Sequence, residues 1–223
     1  MAVDVGSGTG HSVLPLIGRF RNVIAVEPDA RMANEIPPSA NLEVRNVRAE
    51  EAEFAFQSVD LVTCGTAFYW MDGPVVLDRI RRWLKPESPF AIFRYALPEL
   101  PPAVGAILDR EFRNHWDKFR HVRLLDEDYS RRVVEADARF VNKQVHRLPL
   151  YTEMTAESFT GFFGSTSYVG AYLRTIANGD EYLSALEREV AQAVDGKEFR
   201  VNFPTELIVG FTLPAEDWSD DVC

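Results

Sequence analysis

The chain has little cysteine, no surplus of basic residues and no long apolar run. Its only cysteines in 223 residues are Cys64 and Cys223. One falls in a predicted buried strand and the other is the last residue, so no disulfide is expected and a reducing, cytoplasmic compartment is the natural setting. Lysine and arginine number 24 against 34 aspartates and glutamates, a formal net charge of -10. Without a basic stripe to release counterions, no nucleic-acid partner is expected. No stretch approaches the roughly 18 apolar residues of a membrane span, and no charged-then-apolar leader precedes the first strand, so no membrane partner is expected. Internal repeats, low-complexity tracts and metal-spaced His/Cys clusters are missing too, which leaves no expected metal site. What is present is ordinary globular composition, 46% hydrophobic and 26% charged, in a length suited to one α/β domain carrying an insertion.

The most informative stretch lies at the front, Ala2-Val3-Asp4-Val5-Gly6-Ser7-Gly8-Thr9-Gly10-His11. A short apolar run with an acid inside it leads to three glycines at alternate positions, and Val13-Leu14-Pro15-Leu16-Ile17 follows. This reads as a buried strand, a glycine loop and the first turn of a helix. Glycines there permit backbone angles closed to other residues and let a ligand lie against the main chain. The spacing G-x-G-x-G differs from the dinucleotide fingerprint G-x-G-x-x-G, and His11-Ser12 is not the Lys-Ser/Thr of a phosphate loop. Asp4 suits a cationic ligand group better than a pyrophosphate. An oxidoreductase using a nicotinamide dinucleotide therefore stands as the disfavoured rival.

At these residues the chain resembles the class I S-adenosylmethionine-dependent methyltransferases, whose first motif follows a strand as D-x-G-x-G-x-G. The resemblance implies a Rossmann-like, doubly wound, mostly parallel α/β sheet, with Asp4, Gly6, Gly8 and Gly10 around the cofactor. A second predicted strand, Asn22-Val23-Ile24-Ala25-Val26, ends in Glu27, about 20 residues beyond the loop, where such folds place a carboxylate on a ribose diol. The family also sets an acid and a backbone amide near the adenine, in the turn after a weaker third strand at Leu42–Val47. Arg48 occupies the usual acid position, so Ala49 and Glu50 are the candidates. The first strand begins at residue 2, where the family usually carries helices beforehand, so a more open site or a start further upstream is expected.

A fourth strand, Ser58–Gly65, leads to Thr66-Ala67-Phe68-Tyr69-Trp70-Met71-Asp72. Loops leaving central parallel strands face the ligand crevice, which nominates Thr66 and Phe68 as cofactor contacts. The run resembles the trans-aconitate methyltransferase-like branch, with its Ala-Phe-His-Trp; Tyr69 replaces the histidine. A helix at 74–84 and a fifth strand at 90–93 complete a cofactor-binding half, 1–94. Pro98, Pro101 and Pro102 then mark a break. A largely helical cap is expected over about 95–165, with a helix from Ala103 to about Arg120, a solvated charged stretch at 126–132 and a sixth strand at 144–150. Residues 166–223 should hold the closing helix and strands; Ser165-Thr166-Ser167-Tyr168 resembles the same branch.

The implied chemistry is methyl transfer (EC 2.1.1 type) from S-adenosyl-L-methionine, leaving S-adenosyl-L-homocysteine, to an oxygen or nitrogen of a small-molecule acceptor. Alignment in a dry cavity does most of the work. A hydroxyl or amine acceptor also needs a base, for which Tyr69 and His146 are the catalytic candidates and His115 and His121 weaker ones. The alternative is a non-catalytic or regulatory member of the same fold, and a homodimer is left open.

Overall fold

The computed structural model describes residues 1–214, and Cys223 lies outside the described residues. They form two compact units. One comprises 1–94, 127–147 and the chain from 206; the other comprises 95–126 and 148–205.

The first unit is built on a sheet. The strands of the chain are β1 (Ala2–Val5), β2 (Val23–Val26), β3 (Leu42–Arg45), β4 (Leu61–Gly65), β5 (Pro89–Tyr95), β6 (Phe140–Leu148), β7 (Tyr151–Met154), β8 (Phe199–Asn202) and β9 (Thr205–Thr212). Seven of them make a mostly parallel sheet in the order β3-β2-β1-β4-β5-β9-β6. The pairs β1/β2, β1/β4, β2/β3 and β4/β5 run parallel. The order reverses between β1 and β4, and that reversal opens a crevice at the strands' carboxyl ends.

Both faces of the sheet are covered, which explains why Ala-Val-Asp-Val is buried at every position. Side chains alternate across a strand. Val3, Val5, Ile24, Val26, Val62 and Cys64 enter one apolar cluster with Trp83 and Phe90. Ala2, Val23 and Ala25 enter another with Val13, Leu16 and Ile36. Asp4 shares the parity of Ala2, so its carboxylate stands on the second face.

Two single-turn helices follow the first strands, α1 (Leu14–Ile17) and α2 (Ala30–Ala33), the latter capped by the Asp29 side chain on the Arg31 amide. Next comes α3 (Gly73–Trp83), where Asp72 caps the Val75 amide and Val76, Leu77, Ile80 and Trp83 are buried at helical spacing.

In the second unit, α4 (Pro102–Glu111) runs into a wide turn at Phe112–Trp116 and a tight one at Asp117–Phe119. The short α5 (Val122–Leu125) follows. In the first unit, α6 (Tyr129–Ala136) packs on α3, with its Tyr129 hydroxyl accepting from the Gly73 amide at 3.0 Å. Back in the second unit are α7 (Ala156–Gly164), α8 (Ser167–Leu173), α9 (Gly179–Ala193) and the antiparallel β7/β8 pair. Its core is aromatic: Phe112, Trp116, Phe159, Phe163, Tyr168 and Phe199 are buried together.

The insertion is divided differently from the expected 95–165. Residues 127–147, with α6 and most of β6, belong with the sheet, and the second unit extends to 205. The sixth strand begins at Phe140, four residues earlier than its pattern suggests. Its alternation is hidden because only Phe140 is buried and the rest is half-exposed or exposed.

Candidate functional site

The glycine loop joins β1 to α1. Its glycines all take left-handed backbone angles, with φ of 69° at Gly6, 55° at Gly8 and 95° at Gly10. They serve different ends. A Cβ on Gly6 would lie 2.4 Å from the Ala67 Cβ, so this glycine lets the loop after β4 close against it. Gly10 backs onto Ile36. Gly8 has nothing within 4 Å of where a Cβ would stand. Two glycines are therefore spent on packing, while the third turns a bare backbone towards open space, where a ligand could approach the main chain closely.

Glu27 holds that open segment. Its Oε2 accepts from the Gly8 amide at 2.8 Å and its Oε1 from the Asp29 amide at 2.9 Å. Asn46 fixes the main chain behind it, donating to the Glu27 carbonyl at 2.8 Å and to that of Pro28 at 3.0 Å. An ionised carboxylate offers about four lone-pair positions. Two are used here, by the Gly8 and Asp29 amides.

Asp4 is placed differently from the expectation that it meets a ligand directly. It is wholly buried. Its oxygens accept from the Ser12 hydroxyl at 2.7 Å and the Thr63 hydroxyl at 2.5 Å, while Ser7 donates to its carbonyl at 2.9 Å. Burial raises the Asp4 carboxyl above the usual range, against the lowering effect of these hydroxyls, and nearby Glu27 adds to the rise. Sequence reasoning missed Ser12, Thr63 and Asn46 because lone hydroxyls and amides carry no motif; only the parallel register Asp4 opposite Thr63 reveals the first pair.

The second expected segment leaves β4 at Thr66, which is left-handed at φ 54° and donates its amide to the Phe93 carbonyl at 2.7 Å. Phe68 is a correction. Its ring is 1% exposed within the sheet's core and beside Tyr129, so it plugs the interior instead of facing a ligand. Ala49 likewise buries its methyl in that core, leaving only main chain for any contact. Glu50 accepts from the Asp72 amide at 3.0 Å and from Arg48 at 3.4 Å, which ties its carboxylate to the start of α3. Burial works against its charge, but these donors hold it below the ordinary carboxylate range.

Tyr69 is buried, with the Arg94 guanidinium 5.0 Å over its ring. Arg94 stands near the carboxyl end of β5, so this cation belongs to the same rim as the loop after β4. His146 is not brought to that rim. It is exposed on β6, the sheet's edge strand, with Nε2 3.2 Å from the Gln144 amide oxygen. Two strands separate β6 from β4, on the order of 14 Å between their axes at ordinary strand spacing. In the second unit His115 stacks on Tyr172, and His121 caps α5 by accepting from the Arg123 amide.

Residues 3–92 match a family model described as a methyltransferase domain. The fold is that of the class I methyltransferases. A Dictyostelium discoideum protein named as a methyltransferase is 25% identical over 221 residues, covering 94% of this chain and 81% of that one. CRG1 of Saccharomyces cerevisiae, named for an S-adenosylmethionine-dependent methyltransferase, is 24% identical over 124 residues, 52% of this chain and 42% of its own. Among solved structures, an Anaeromyxobacter dehalogenans protein named as a type II methyltransferase superposes with a TM-score of 0.78 at 24% identity, over 96% of this chain and 90% of that one. The matched segment runs from β1 into β5, the part that carries the glycine loop, Glu27 and Tyr69.

Proposed function

We propose that this chain is an S-adenosylmethionine-dependent methyltransferase acting on a small-molecule acceptor, through an oxygen or a nitrogen. The observation that carries the reading is the division of labour in the glycine loop. Gly8 alone faces open space, and the Glu27 carboxylate beside it keeps two acceptor positions for a diol. The residues present fit the nucleoside, and the yeast relative's name points to the same cofactor.

S-adenosylmethionine supplies a methyl already activated on a sulfonium. The chain's residues are left to bind, orient and exclude water. Glu27 holds the ribose, and the main chain at Gly8 gives the close approach. Two buried carboxylates, Asp4 and Glu27, make the loop electronegative, and no lysine, arginine or histidine pairs with either among the described residues. That field favours a cationic cofactor over a pyrophosphate. Tyr69, acting as its phenolate, is the group to take a proton where the acceptor is a hydroxyl or an amine; a carboxylate acceptor needs no base.

The test is calorimetric titration with S-adenosylmethionine, with NAD as control, followed by transfer of a labelled methyl to a panel of small carboxylic acids, alcohols and amines. Micromolar binding of the sulfonium alone and label in at least one acceptor is the expected result. Binding of NAD instead, or tight cofactor binding with no transfer across the panel, overturns it; the second outcome leaves a regulatory cofactor-binding protein.

A further inference from the structure

The buried Asp4 carboxyl is gripped by hydroxyls from two different segments. Thr63 reaches it from β4, the strand paired with β1 on its crevice side, and Ser12 reaches it from the segment that opens α1. Ser7, in the loop between them, bonds the Asp4 carbonyl. The loop closes on itself by Gly10 N–H to the Ser7 carbonyl at 2.9 Å and Val13 N–H to the Gly10 carbonyl at 3.0 Å. Its two ends are thus joined through one side chain that no ligand can touch.

We propose that Ser12 and Thr63, by gripping Asp4 from the turn before α1 and from β4, are positioning residues that set the glycine loop in its cofactor-binding shape; this rests on the S-adenosylmethionine reading above. The argument is one of valence. An ionised carboxylate accepts from both hydroxyls at once. A protonated one donates through one oxygen, so the hydroxyl facing that oxygen must turn round to accept and the grip loses its charge-assisted character. The groups that bear on it electrostatically, Glu27 from the end of β2 and Cys64 from β4, bring no positive charge. The hydroxyls therefore keep this anion in place in a dry setting, at the scale of hydrogen bonds to a charged group. A loop held this way is preorganised, so less ordering is needed when the cofactor binds.

The experiment compares the full chain with Ser12→Ala, Thr63→Val and Thr63→Ser. Hydrogen–deuterium exchange of residues 6–14 is followed without ligand, and S-adenosylmethionine affinity is titrated at pH 6, 7 and 8. Ser12→Ala and Thr63→Val are each expected to speed exchange in the loop about ten-fold and to raise Kd by a similar factor. The loss should deepen towards pH 6, because an acid with fewer donors protonates at higher pH. Thr63→Ser, which keeps the hydroxyl and drops the methyl, should restore both readouts. Unchanged loop exchange in Ser12→Ala overturns the proposal, as does a folded Thr63→Ser that behaves like Thr63→Val, since packing would then be responsible. If the unaltered chain binds no S-adenosylmethionine while loop exchange responds as described, the clamp stands and the cofactor reading falls.

Discussion

Replacing Glu27 with alanine separates the loop's stability from its ligand affinity. The side chain accepts from the Gly8 and Asp29 amides at 2.8 and 2.9 Å, and is only 6% exposed. Gly8 and Asp29 are themselves half-exposed. Water can therefore reach the two abandoned N–H groups, and the stability loss should stay near 1 kcal/mol, below the cost of two fully buried orphans. Affinity is hit harder. The diol loses a charged acceptor, and the bare Gly8 backbone loses the partner that fixes it. Charged hydrogen bonds on this scale are worth about 1–3 kcal/mol, a Kd increase of about 5- to 150-fold for S-adenosylmethionine. Glu27→Gln should fall between, because its amide keeps one acceptor and turns an NH2 group towards one backbone donor. Titration calorimetry at one pH, with thermal unfolding of the same samples, measures both quantities. A Kd within two-fold of the unaltered chain in both folded variants would refute the ribose role.

Three further outcomes follow from the same geometry. Gly6→Ala should cost about 2–5 kcal/mol in unfolding, from a left-handed φ plus overlap with Ala67, whereas Gly8→Ala should cost about 1–2 kcal/mol yet obstruct cofactor titration, since its Cβ enters open space; equal unfolding losses would count against the assignment. Asp4 has a folded-state pKa raised above its unfolded value, so its charge penalises the fold at neutral pH and the penalty fades as pH falls through that range. Denaturant unfolding of Asp4→Asn should accordingly show its advantage over the unaltered chain shrinking from pH 7 towards pH 4, and an advantage that grows in acid contradicts the sign. In the second unit, Glu111 is buried and accepts from Arg110 at 2.7 Å and from the Tyr182 hydroxyl, while Arg110 also pairs with Glu189 at 2.6 Å. Because Arg110 is 43% exposed, solvent screening discounts the full cost of a broken buried pair, and Arg110→Ala should lose about 1–3 kcal/mol by thermal unfolding.

The elements that were legible in the sequence share a physical cause. β1, β2 and β4 are short and covered on both faces, so they read as mostly apolar runs, broken only by Asp4 in β1 and Thr63 in β4. Helices α3, α7 and α9 bury one side and keep its period. β7 and the start of β6 were not legible, because strands with mostly exposed residues show no alternation; β8 does alternate, with Phe199 and Val201 buried, but four residues are too few to announce a strand. Phe68 shows the limit at the site. Three adjacent aromatics at a strand's end announce something worth packing, but whether a ring packs on a ligand or on Tyr129 depends on an element sixty residues away in the chain.

By itself the sequence determined the glycine loop, the acid after the second strand and the strand–helix alternation, hence the fold. These are local: left-handed φ values, short spacings and the burial period of a strand are all written within a few residues of one another. Only the tertiary structure decided which carboxylate is spent internally and which keeps lone pairs to offer. Asp4 and Glu27 are equally acidic in the sequence, and one is closed off by hydroxyls from the turn before α1 and from β4 while the other is left at the rim by backbone donors. Partners brought together from distant strands set that difference, and no local pattern of residues encodes it.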